Sequence, residues 1–216
     1  MVELFLRALP LLEKAVLYTL GLGLSSFMLG SMLGMLIALF RISSIKPLRW
    51  LAFSYVSVFR GTPLLIQIMV IYFGLPNYGI VIEPVPAALL ALTLFSAAYL
   101  SENFRSGISA VDRGQWEAAA SMGMGYRKTL MRIILPQAFR VALPPVGSRL
   151  IALMKDTSLA STITVVELTR VADQIGATTF RYMDMFLIVG AIYWIINQTL
   201  TILQTWLESH LSRRYQ

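Results

Sequence analysis

Apolar residues run along this chain in long blocks separated by short polar connections. Ala15–Phe40 holds no charged residue in 26 positions. As a helix it would extend ~39 Å, enough to cross a hydrocarbon layer of ~30 Å with tilt. Within it Gly23, Ser26, Gly30, Gly34 and Ala38 recur every three or four positions and form one small-residue stripe. Such a stripe lets another helix approach closely, either from the same chain or from a second subunit. Residues 1–14 mix apolar positions with Glu3, Arg7, Glu13 and Lys14 in a helical rhythm, which predicts a separate interfacial helix. A cleaved signal peptide fits poorly, because Glu3 spoils the basic start and the apolar block that follows is too long.

Three further apolar blocks are legible. The first runs over residues 51–74, and the pattern predicts one span bent near Pro63, whose ring removes a backbone donor. Pro76–Pro86 reads as a loop, and the next span covers 87–107. Met185–Leu207 has 23 uncharged residues and is a clear span. Between them, Asp112–Arg132 is the most hydrophilic interior stretch. Asp112 with Gln115 suggests an N-cap and capping box, Gln115–Met122 a helix, and Gly123-Met124-Gly125 its end. A second short helix over Tyr126–Leu135 completes a helical hairpin too polar to cross a membrane. Residues 133–154 are apolar overall but hold Arg140, Arg149, Pro136, Pro144 and Pro145, and 155–184 mixes both characters.

Composition settles the class. The chain has 216 residues, 57% hydrophobic and only 13% charged, against about a quarter charged in soluble domains. Its mean hydropathy is +0.70. These values exclude disorder, a coiled coil and an ordinary soluble enzyme, and predict an all-α membrane protein. With no cysteine there is no disulfide or thiolate site, and the lone His210 makes a histidine metal centre implausible. The net charge of +7 suits a cytoplasm-facing excess. Nucleic acid is a poor second explanation, since no basic stretch is interleaved with exposed aromatics.

Basic residues cluster at 41–49, 105–132 and 213–214, whereas the loop at 74–86 has none. Placing all three clusters inside requires an odd number of crossings between Arg132 and Asp184, and one crossing at 133–154 is the economical choice. The expectation is five transmembrane helices at about 15–40, 51–74, 87–107, 133–154 and 185–207. The N-terminus lies outside, and a tail over 209–216 is cytoplasmic.

The hydrophilic hairpin carries the most specific pattern. Glu117-Ala118-Ala119, three residues, Gly123, nine residues, then Ile133-Ile134-Leu135-Pro136 resembles the signature of permease subunits of ABC importers. Phe59-Arg60-Gly61-Thr62-Pro63-Leu64, Ala98-Tyr99-Leu100-Ser101-Glu102, Gly114-Gln115-Trp116-Glu117, Leu135-Pro136-Gln137-Ala138 and Lys155-Asp156-Thr157-Ser158-Leu159 look like the polar amino-acid permeases, the histidine, glutamine, arginine and cystine group. The text near Gly114–Ala120 and Val141–Ser161 is most like cystine permeases. The likeness spans about residues 15–208.

This resemblance implies a type I ABC importer permease fold in a bacterial inner membrane. It implies a second permease subunit, two ABC ATPase subunits and an external amino-acid-binding protein, with membrane lipid around them and no nucleic acid. No cofactor is expected in this chain; ATP and magnesium would belong to the partner ATPase. The chain would break no covalent bond itself. Gln115, Trp116, Glu117, Ala118, Ala119, Ala120, Gly123 and Pro136 are the expected ATPase-coupling residues. Trp116, Ala119, Ala120 and Met124 would supply the apolar docking face.

A transported zwitterion must leave water, so its path should offer both charge signs and hydroxyls. The candidates are Lys155, Asp156, Thr157 and Ser158, then Glu102 with Tyr99 on the same helix face, then Arg60, with Glu167 as a further anion. For each, the plain alternative is a structural ion pair, a snorkelling side chain or a capped turn. Two rival functions remain: an intramembrane enzyme using Glu102 and Arg60, and an ATP-independent channel. Neither needs a hairpin of the 117–136 spacing. No phosphate-cradling G-x-x-x-x-G-K-[ST], G-x-S-x-G or H-E-x-x-H occurs.

Overall fold

A computed structural model describes residues 2–212. Arg213 and Arg214 of the expected tail lie outside the described residues. α1 (Val2–Ile42) is one helix of 41 residues, so the helix expected over 1–14 runs into the first apolar block without a break. The reason is a single buried stripe, Leu4, Ala8, Leu12, Ala15, Thr19, Leu22, Ser26, Gly30, Gly34 and Ala38, which steps through both segments at helical spacing. Its first turns pack on the last two helices of the chain through Leu168, Val171 and Met185.

α2 (Lys46–Gly61) and α3 (Leu64–Met69) meet at Thr62-Pro63. The bend expected near Pro63 is a break of 105°. α3 runs on through a π turn at Val70–Gly74 and a 3-10 turn at Leu75–Tyr78, ending where Gly79 turns left-handed.

α4 (Pro84–Ser109) is the central helix, buried along Ala87, Ala88, Ala91, Leu92, Ala98 and Leu100. The small-residue stripe of α1 packs on it, within the chain. A Cβ on Gly34 would lie 3.0 Å from the Ala97 carbonyl oxygen, and one on Gly107 would lie 2.7 Å from that of Ala138. No larger residue fits either crossing without separating the helices.

α5 (Arg113–Ser121) and α6 (Tyr126–Thr129) form the expected hairpin. α6 does not end before the segment expected to be the fourth span. It passes through a π turn at Leu130–Ile134 into α7 (Leu135–Asp156). A 3-10 segment, Thr157–Ile163, then leads to α8 (Leu168–Thr179) and α9 (Tyr182–Ser212). No strand occurs among the described residues.

One core lies around Ile68, Leu92, Leu153 and Ile163, where α3, α4, α7 and the 3-10 segment meet. By length and composition α1, α4 and α9 can each cross a membrane, and the bent α2–α3 pair would make a fourth crossing. α7 is long enough, at ~33 Å, but Gln137, Arg140, Arg149 and three prolines dilute its apolar character.

Candidate functional site

The hairpin at 112–136 is built by local chemistry. Asp112 caps α5, its Oδ1 accepting from the Gly114 N–H at 2.6 Å. The expected capping box does not close, because Gln115 points elsewhere and its Oε1 accepts from Gln137 Nε2 of α7 at 3.2 Å. Gly123 ends the helix at φ +72, with its N–H on Ala120 O at 2.9 Å and the Met124 N–H on Ala119 O at 3.0 Å. That left-handed position favours glycine.

α5 divides the expected docking face: Ala120 is exposed, Trp116 and Met124 are half-buried, and Ala119 is turned inward. Ala119 is buried at 2% exposure against its own chain. Trp116 is half-buried beside Ile108, Val111 and Ile134, and stacks on Tyr126 with ring centroids 5.4 Å apart. These apolar side chains hold the hairpin to the bundle. What α5 presents outward is Gln115, Glu117, Ala118, Ala120 and then Met122 at 83% exposure. Pro136 is exposed in the first turn of α7.

The pathway candidates fall into separate groups. Glu102 is bound by Arg41 of α1 and by Arg105, whose Nε lies 3.1 Å from Oε1. The carboxylate ties the last turn of α1 to α4. Tyr99 does not share this site: its ring faces Arg60 of α2 and Arg149 of α7, with guanidinium carbons 5.1 and 5.0 Å from its centroid. Arg149 also lies 5.0 Å over Phe95 and pairs with Asp156 at 2.9 Å. Cations over aromatic faces gain from the ring quadrupole, more so when desolvated.

Three helices, α2, α4 and α7, therefore converge on one polar cluster of Arg60, Tyr99, Arg149 and Asp156. Sequence reasoning noted Arg149 as an intramembrane charge but left it out of the path. The seven-residue spacing to Asp156, two helical turns, was the signal available.

The remaining candidates divide by burial. Lys155 is exposed and does not pair with Asp156; Ser158 donates to the Lys155 carbonyl at 2.7 Å. Thr157 is fully buried and donates to Met154 O at 2.7 Å. Glu167 is fully buried as the N-cap of α8. Its oxygens accept from the Thr169 N–H at 2.9 Å, the Arg170 N–H at 2.8 Å and Tyr193 Oη–H at 2.8 Å. Both oxygens of Glu167 and the hydroxyl of Thr157 are thus engaged inside the chain. Among the described residues no group of His, Cys, Asp and Glu has a metal-binding arrangement.

The family model described as "Binding-protein-dependent transport system inner membrane component" matches residues 30–213. The L-cystine transport system permease protein TcyB of Bacillus subtilis is 45% identical over 94% of this chain and 88% of its own. The arginine transport system permease protein ArtQ of the same organism is 40% identical over 94% of this chain and 93% of its own. A crystal structure of an amino acid ABC transporter with histidines superposes with TM-score 0.91 at 39% identity, covering 95% of this chain and 96% of that one. The MetNI methionine ABC transporter in an inward-facing conformation shares the fold, with TM-score 0.76 at 20% identity. The hairpin, the broken second span and the polar cluster thus stand on a known scaffold, and the chain belongs to the family of binding-protein-dependent transport system inner membrane components.

Proposed function

We propose that this chain is the transmembrane permease subunit of an ATP-binding-cassette importer that carries a polar amino acid across the bacterial inner membrane. The observation that carries the reading is the likeness, over nearly its whole length, to a solved amino acid ABC transporter. Relatives named for cystine and arginine transport support that substrate class.

Five crossings, α1, α2–α3, α4, α7 and α9, put the N-terminus outside and the basic segments in the cytoplasm. Two permease subunits enclose the path, two ATPase subunits dock on α5 and its flanking turns, and an external binding protein delivers substrate. The exposed rim of Glu117, Ala118, Ala120 and Met122 meets the ATPase. Trp116 and Ala119 transmit its motion inward, since both are packed against the bundle.

Arg60, Tyr99, Arg149 and Asp156 offer the path cations, an aromatic face and an anion, with Lys155 and Ser158 close in sequence. Glu102, neutralised by two arginines, clamps α1 to α4 instead. ATP and magnesium act in the partner ATPase, and this chain responds mechanically. The test is uptake of labelled L-cystine, L-arginine and other polar amino acids into vesicles holding the whole complex. ATP-dependent uptake of one of them is expected; flux without ATP or binding protein would refute the reading.

A further inference from the structure

Pro63, at the break between α2 and α3, deprives one carbonyl of its helical donor. In an uninterrupted helix Phe59 O would accept from the N–H of residue 63, and that residue is Pro63. A side chain supplies the missing donor. Gln67 Nε2 donates to Phe59 O at 3.0 Å, and it also reaches Thr62 Oγ1 at 2.9 Å and Thr62 O at 3.2 Å. Thr62 Oγ1 in turn donates to Val58 O at 2.8 Å.

These acceptors fix which way the amide points, because only its NH2 end can serve them. Oε1 is left buried and has no hydrogen-bond partner among the described residues. Gln67 is only 9% exposed, between the core residues Leu64 and Ile68. A buried polar group with an unmet acceptor costs stability. Its packing alone would be served as well by an apolar side chain of the same length.

The residue after Phe59 is Arg60, whose guanidinium stands over Tyr99. The same end of α2 is tied to α4 by Tyr55, which donates to Leu94 O at 2.6 Å and packs on Phe59 with ring centroids 4.5 Å apart. One side of this turn is thus anchored on α4. Gln67 anchors the other side on α3.

We propose that Gln67 is a positioning residue for transport: by capping Phe59 O in place of the N–H that Pro63 lacks, it fixes the α2–α3 break and so places Arg60 over Tyr99. The inference rests on the reading of Arg60 as part of the translocation path.

The test uses the complete complex in vesicles with saturating binding protein. It reads uptake of labelled L-cystine and L-arginine per assembled complex, beside complex yield. Gln67→Met keeps length and apolar packing but removes the donor, whereas Gln67→Asn keeps the donor one methylene short. Each is expected to lower uptake roughly tenfold, the equivalent of one lost buried hydrogen bond of about 1.4 kcal/mol, at unchanged yield. Each should also shift the cystine-to-arginine ratio in the direction that Arg60→Gln shifts it. In an Arg60→Gln background, Gln67→Met should add nothing further.

Additive losses, an unchanged ratio, or lowered yield with normal uptake per complex would overturn the positioning role. So would failure of both Gln67 variants to assemble, since Gln67 would then be holding the fold. Impaired Arg60→Gln with normal Gln67→Met sinks only this inference. Arg60→Gln with parental uptake and ratio sinks the path reading itself.

Discussion

Arg149 and Asp156 face each other across two turns of α7, with Nη2 2.9 Å from Oδ2. The Arg149 side chain is 9% exposed, and its guanidinium lies over Phe95 and Tyr99 of the central helix. One ion pair thus joins the end of the fourth expected span to the aromatic face on which Arg60 also rests.

With Asp156 28% exposed the pair is part-buried, so stranding Arg149 costs less than the ~3–5 kcal/mol of a fully buried pair, while replacing both with apolar residues is often near neutral. Asp156→Asn is therefore expected to lower the thermal stability of the purified complex more than the double variant Arg149→Met/Asp156→Leu. Both should lose uptake if the pair lies in the path. Equal stability of the two variants would refute burial of an uncompensated charge; full uptake in the double variant would remove the pair from the path.

Gly123 adopts φ +72, and a Cβ there meets nothing within 4 Å in this chain. The penalty for a non-glycine residue is then one of backbone strain, about 1–2 kcal/mol, smaller for asparagine. Gly123→Asn should support near-normal stimulation of ATP hydrolysis by loaded binding protein. Gly123→Leu should insert normally yet lose that stimulation, because its side chain would crowd the docking surface proposed for the ATPase. Stimulated hydrolysis at the parental level in Gly123→Leu would argue strongly against docking at this turn.

Glu167 caps α8 and holds Tyr193 of α9. Glu167→Ala removes a cap and a buried acceptor, together about 2–4 kcal/mol. The complex should melt at lower temperature and form in lower yield, with the ratio of cystine to arginine uptake unchanged. An altered ratio at normal stability would return Glu167 to the path.

The chain has no cysteine, so single introduced thiols report without background. In intact cells Ser44→Cys and Ser121→Cys should react only with membrane-permeant reagents. Asn77→Cys, in the turn after the broken span, should react with impermeant ones. Labelling of position 121 from outside would overturn the five-span orientation.

Much of the architecture was legible in the sequence because it rests on local chemistry. Uncharged runs mark α1, α4 and α9. Pro63 marks a break because it lacks a donor, Asp112 a cap because its side chain accepts, and Gly123 a turn because it tolerates positive φ. What composition could not supply was the partner of each polar side chain. Glu102 lies 61 positions from Arg41 in the chain, yet the two pair because α1 and α4 cross on small residues. Tyr99 and Glu102, three residues apart, belong to different clusters because α4 is surrounded on several sides.

Trp116 and Ala119 have the spacing of an exposed docking face, but the apolar pocket beneath the hairpin claims them. Residues 1–14 look like a surface helix until α8 and α9 provide a wall for their buried stripe. Helix, break and turn follow from neighbours along the chain, where a missing N–H or Cβ acts directly. Which charges meet depends on helix crossings far apart in sequence, and only the packed bundle decided it.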